Sequence, residues 1–210
     1  SQFSIRRPEA GVTAKLMLAV VTFGHVHAED IVALTPHFSR IEQLVLDVAP
    51  RASMTEHRAE LNRAVDAATA DWVLVIRERE TIDDALAVEI AKAAVEAKAR
   101  GFRIRAVPFY AGKPLRIQAG EGELRLFHRR FLLRRGEMAV QGSVVRLANE
   151  LRSVTFATSE EHREHLAKQS KPRPVISRAL LFARYVVGTR ARDANTLRYL
   201  WIEAGYAVTP

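Results

Sequence analysis

The chain has 210 residues, 48% of them apolar and 27% charged, a balance that excludes wholesale disorder and supports a core of ordinary size. It has no cysteine, which excludes a disulfide framework and leaves any zinc site dependent on histidine and carboxylates. The net charge of +8 favours anionic partners, and residues 171–210 hold seven Lys/Arg against Asp193 and Glu203, so +5 of that excess lies in the tail.

Leu16–Phe23 is a short apolar run closed by Gly24, the pattern of a buried parallel strand. A helical stretch around Asp30–Arg40, interrupted by Pro36, leads to a second strand, Ile41–Val48. Thr55–Ala68 reads as an amphipathic helix, Thr69–Asp71 as a tight turn, and Trp72–Ile76 as a fully apolar third strand that ends in four consecutive charged residues, Arg77–Glu80. Thr81 is placed to cap the next helix, Asp83 and Asp84 suit its first turn, and Gly101 its C-terminal end.

Phe102–Phe109 alternates as one strand with Arg103 and Arg105 on its wetter side. A glycine-containing loop over 112–122 precedes a strand at Leu124–Phe127, with shorter strands near Val144–Leu147 and Val154–Ala157. Thr158 and Glu161 have capping-box spacing for a helix to about Gln169. The prolines at 172 and 174 break it, and helices over 175–187 and 192–204 complete the chain. Early strand–helix alternation predicts an α/β fold with a mostly parallel sheet. The longest uncharged run, Leu16–Ala28, is too short to span a bilayer.

Asn62, Ala64, Ala68, Thr69, Asp71, Trp72 and Glu80 stand in register with the pattern RN-x-A-x-x-x-ATGDW, apolar strand, LDADE. LVLD at Leu44–Asp47 and LRLFHRR at Leu124–Arg130 follow the same order and spacing. On these motifs the segment from about Lys15 to Gln169 resembles the family 2 glycosyltransferases, in particular the subgroup acting on lipopolysaccharide core and related bacterial glycans. The resemblance implies a GT-A fold over residues 1–170, Rossmann-like with helices on both faces of the sheet, and leaves 171–210 as a basic helical extension packed on it.

The resemblance further implies transfer of a sugar from a nucleotide-sugar donor to a glycan or lipid-linked acceptor. Asp47 would contact the nucleotide, and Glu121, with Glu123 as the near alternative, would take the acceptor proton. Relatives hold Mg²⁺ or Mn²⁺ with an Asp-x-Asp corner, but here Arg77-Glu78-Arg79 stands in its place, and a guanidinium has no lone pair for a cation. The expectation is therefore no metal and no cofactor, with Arg77 and Arg79 on the diphosphate. The loop after Asp47 and the acceptor segment between Tyr110 and Leu124 are also short, so a catalytically inactive binding or scaffolding domain stays open beside the enzyme.

Two histidine pairs, His25/His27 and His162/His165, have spacings that suit metal ligands but complete no site. Arg125, His128, Arg129 and Arg130 read either as a phosphate-contacting cluster or as a solvated strand edge. No nucleic-acid-binding motif is present, and aromatics are not interleaved with the basic residues, so no nucleic-acid partner is expected. On the helix over 175–187, Ile176, Leu180, Ala183 and Val187 share a face beside Arg178 and Arg184, which suits either packing on the main domain or peripheral contact with an anionic membrane. A cytoplasmic location is the expectation that accompanies these readings.

Overall fold

The computed structural model describes residues 16–24, 26–46, 54–115, 121–135, 138–169, 175–189 and 191–204. The architecture is α/β, with two sheets. Strand β1 (Met17–Phe23) is flanked by β2 (Arg40–Leu46) and β3 (Trp72–Arg77), both parallel to it. The six-stranded sheet continues through β8 (Glu123–His128), antiparallel to its neighbours, to β5 (Gly101–Ile104) and β9 (Val144–Arg146), giving the order β2-β1-β3-β8-β5-β9. The smaller sheet is β4 (Glu80–Thr81), β10 (Leu151–Phe156), β6 (Ala106–Tyr110) and β7 (Lys113–Pro114).

Alternation along the central strands explains why helices cover both faces. Trp72, Leu74 and Ile76 join Leu18 and Val20 in a core with Leu86, Ile90 and Ala94 of helix α3 (Asp84–Glu96). Val73 and Val75 join Ala19 and Val21 on the other face, against Leu61, Ala64 and Val65 of helix α2 (Met54–Ala67). A strand buried on both faces needs an unbroken apolar run, and Trp72–Ile76 supplies one with no residue above 4% exposure.

Four boundaries differ from the sequence expectation. The stretch after Gly24 is a four-residue helix α1 (Ala28–Ile31) running into a 3₁₀ segment Val32–His37 that contains Pro36. The cap of α3 is Asp83, whose side chain accepts from the Leu86 N–H at 3.0 Å, because Thr81 is already committed to β4. The helix ends at Ala97 in the left-handed region (φ 47°), and Gly101 instead opens β5. Its missing Cβ has a packing reason: a methyl there would sit 2.7 Å from Leu124 Cδ1 and 2.9 Å from Val140 Cγ2.

The fourth is the expected single strand over 102–109. It breaks at Arg105, so that β5 belongs to the large sheet and β6 to the small one. Arg105 is held at the break by an ion pair with Glu150, and the Leu151 N–H donates to its carbonyl at 2.9 Å.

Beyond the sheets lie helices α4 (Ser159–Gln169), α5 (Val175–Thr189) and α6 (Ala194–Ala204). The Thr158/Glu161 cap forms with one bond displaced: the Glu161 N–H donates to Thr158 Oγ1 at 3.1 Å, while the Glu161 carboxylate reaches past Thr158 to accept from the Ala157 N–H at 2.8 Å. Helix α6 reaches back onto the small sheet, where Ile202 and Tyr199 pack with Tyr110, Leu115, Phe156 and Leu166. No helix among the described residues is long and apolar enough to cross a membrane.

Candidate functional site

The carboxyl edge of the parallel strands is where β1 and β3 end side by side. Phe23 and Arg77 are register partners, and the Glu78 N–H donates to the Phe23 carbonyl at 2.9 Å. Gly24 follows at φ +81°, and its N–H donates to the Leu46 carbonyl at the end of β2. A Cβ on Gly24 would lie 3.2 Å from a Glu78 carboxylate oxygen, so glycine lets the corner close over the strand end. Arg79 also adopts a left-handed backbone (φ 64°), which turns the chain from β3 into β4.

The charges at this corner form two groups. In the first, Glu80 is 2% exposed and accepts from both terminal nitrogens of Arg125, at 2.8 and 3.2 Å, and from the Arg77 N–H at 2.8 Å. Glu123 then bridges Arg77 at 2.7 Å and Arg125 at 3.3 Å. Burial pushes the Arg125 guanidinium below its ordinary value, and the Glu80 carboxylate acts against that shift. In the second group Arg79 donates to Glu161 at 2.9 Å and to the Thr155 carbonyl at 3.2 Å. The Ala157 N–H holds the Glu161 carboxyl below the usual carboxylate range, with Arg79 assisting and burial opposing.

Arg125 reaches this position through a bulge in β8. Phe102 pairs with Leu126 but Arg103 pairs with Leu124, so Arg125 is skipped in the ladder with β5. Strict alternation would put Leu124 on the same face as Leu126. Instead Leu126 packs in the α3-side core, while Leu124 joins Phe127 in the α2-side core. The extra residue turns Arg125 toward Glu80.

Arg77 and Arg79 are therefore both at the corner, with side chains 51% and 50% exposed, and each is engaged by one carboxylate. Glu121 is exposed in the turn just ahead of β8, two residues before Glu123. Gly122 between them has φ +87°, and a Cβ there would meet the Ile104 and Arg105 backbone at 2.9 Å, which fixes this turn against the end of β5. Asp47 lies outside the described residues, as does His25.

The donor set does not fit a divalent cation. Both Glu80 oxygens are taken up by Arg125 and the Arg77 N–H, and Glu123 is shared between two guanidiniums. A cation placed at Glu80 or Glu123 would face the Arg77 and Arg125 guanidiniums that these carboxylates already hold. No step through a metal is derived from this corner.

The remaining residues of the family-like pattern are tied into the scaffold. The Asn62 side chain donates to the Arg134 carbonyl at 3.1 Å, and Thr69 donates through its N–H and its hydroxyl to Glu42, at 2.8 and 2.9 Å. Asp71 faces Arg129 and Arg130 at 3.7 and 3.9 Å. The basic residues of 125–130 do not form one cluster. Arg125 is buried at the carboxyl edge, whereas His128 pairs with Trp72 at the opposite end of β3. Neither the phosphate cluster nor the solvated edge describes Arg125.

The second histidine pair stays together but is built into the aromatic packing of the small sheet and α6. His162 is fully buried, stacked between Phe156 (4.3 Å, 14°) and Tyr199 (5.0 Å, 17°), and its Nε2 meets Glu203 at 3.0 Å. His165 lies against the same Phe156 ring at 5.3 Å. Among the described residues no three His, Asp or Glu side chains gather as a metal site.

Sequence reasoning did not assign Arg125, Gly24 or Glu161 to the corner. One signal was present: an arginine inside the apolar run LRLF needs a buried partner, and Glu80 is the acid that follows the other apolar strand. No protein-family model matches the sequence, and no curated protein matches it significantly.

Proposed function

We propose that the chain is a glycosyltransferase-like domain of GT-A type that takes the diphosphate of a nucleotide sugar at the Arg77/Arg79 corner without a metal ion. The observation that carries this reading is the pair of half-exposed guanidiniums at the carboxyl edge of a three-layer α/β sheet, the edge where open sheets of this kind bind ligands. Each guanidinium has five N–H groups and spends one or two on protein acceptors, so donors remain for phosphate oxygens. Glu123 is engaged at the same corner, and Glu121, exposed two residues ahead of it, is the reading's base for a glycan or lipid-linked acceptor hydroxyl. Asp47 is its nucleotide contact.

A second reading is favoured by one specific observation. Glu123 and Glu161 already satisfy Arg77 and Arg79, which is how a domain that no longer transfers sugar would neutralise such a corner. That domain would bind or scaffold a complete transferase.

Calorimetry with UDP-, GDP-, ADP- and CMP-linked sugars, with and without Mn²⁺, separates the two. The enzyme-type reading expects binding of at least one donor that ignores Mn²⁺ and weakens about 10- to 100-fold in Arg77→Ala, the loss of a charge-assisted hydrogen bond. Failure of every donor to bind favours the second reading. Metal-dependent binding contradicts the ion-free corner.

A further inference from the structure

Helix α5 turns an unusual face to the outside. Leu180 is 70% exposed and Val187 78% exposed, and at a spacing of seven residues they lie on one side of the helix. Ala183 and Arg184 are exposed between them and Ala179 just before Leu180, so among the described side chains the outward stripe is apolar apart from one arginine. A single exposed leucine is ordinary, but a repeated stripe on a helix that packs mainly against α6 is not. On the packed side Phe182 meets the Trp201 ring edge-on at 5.2 Å, and Trp201 itself remains 37% exposed.

The charge of the surrounding sequence has one sign. Residues 171–192 contain six Lys/Arg (Lys171, Arg173, Arg178, Arg184, Arg190 and Arg192) and no Asp or Glu. Arg184 stands beside the stripe and Arg192 is exposed just before α6. An apolar stripe with Arg184 beside it, in a segment of sequence that carries no acid, matches a surface that is apolar below and anionic above. Fifteen residues at about 1.5 Å each give a rod of about 22 Å, which suits lying in that surface rather than crossing it.

We propose that α5 docks in the interfacial plane of an anionic lipid membrane, with Leu180, Ala183 and Val187 entering the acyl boundary and the arginines meeting headgroup phosphates. The docking stands on this face alone, so its success or failure is independent of donor binding at the Arg77/Arg79 corner.

The test uses the full chain and vesicles of phosphatidylcholine with or without phosphatidylglycerol. The wild type is expected to co-sediment with the anionic vesicles, to release as salt is raised, and to leave pure phosphatidylcholine unbound. The double variant Leu180→Asp/Val187→Asp is expected to bind at least about tenfold more weakly, with an unchanged unfolding midpoint because both side chains are already exposed. Absent sedimentation or equal binding by the double variant would each overturn the proposal. So would a solution dimer that the same two substitutions dissociate, since the stripe would then be a protein interface.

Discussion

Removing Glu80 leaves the Arg125 guanidinium, 2% exposed, with the half-exposed Glu123 carboxylate at 3.3 Å as its remaining counter-charge, so Glu80→Gln is expected to cost about 3 kcal/mol in urea unfolding. Replacing both partners, as Glu80→Leu/Arg125→Met, should recover part of that loss, because the penalty belongs to the poorly compensated buried charge rather than to the absence of the pair. Two other groups contribute to the pH dependence, beside Glu161 in the acidic range. Burial holds His128, packed edge-on against Trp72 and Phe131, below its ordinary value of about 6.5. A depressed histidine contributes stability that is present above that value and lost as pH falls toward the folded one. For Glu203 burial pushes the carboxyl up, but the His162 and Tyr199 hydrogen bonds outweigh it and leave it below the usual range. Its contribution is present above about 4.5 and disappears as pH falls through the folded value. Urea midpoints should therefore drop in two stages on acidification. His128→Gln should flatten the stage nearer neutrality, and Glu203→Gln the more acidic one.

Helix α3 shows what local signals resolve and what they do not. Its apolar face reads in the spacing of Leu86, Ile90, Ala93, Ala94 and Ala97; the first four are buried, while Ala97 is exposed where the helix ends. Its start is not legible, because Thr81 and Asp83 are equally good capping residues and only the pairing of Thr81 with Arg152 in the small sheet decides between them. Asp83→Ala is accordingly expected to cost about 1 kcal/mol, while Thr81→Ala leaves the helix end intact. At the other end Ala97 occupies a left-handed conformation without the glycine that favours it. Ala97→Gly is expected to raise stability by up to about 1 kcal/mol in thermal unfolding, the relief of a Cβ clash set against extra freedom in the unfolded chain. The stretch 101–110 resisted reading for a different reason. The apolar/basic alternation of FRIR gives way after Arg105 to AVPF, apolar at both parities and with Pro108 inside it, but a change of period shows only that the chain alters its surroundings there, not that its halves belong to different sheets.

Across the whole molecule, the layered α/β arrangement was legible because β1 and β3 are apolar on both faces, and a strand of that kind demands a helix on each side. The corner was legible only in part. Arg77 and Arg79 could be placed at the end of β3 from sequence order alone, but their carboxylate partners come from β8 and α4, 46 and 82 residues away. The same holds for α6, whose Glu203 meets His162 across 41 residues of chain. The position of β8 bears on how the protein is made. It is inserted between β3 and β5, so every strand from β1 to β5 can emerge from a ribosome and still leave a slot in the sheet. Until residue 128 is synthesised, the nascent chain presents the open backbone edge of β3, an apolar template for any neighbouring nascent chain. Translation halted between residues 104 and 123 should thus yield insoluble product, whereas release beyond 128 allows the slot to be filled, a contrast that fractionating arrested chains would reveal.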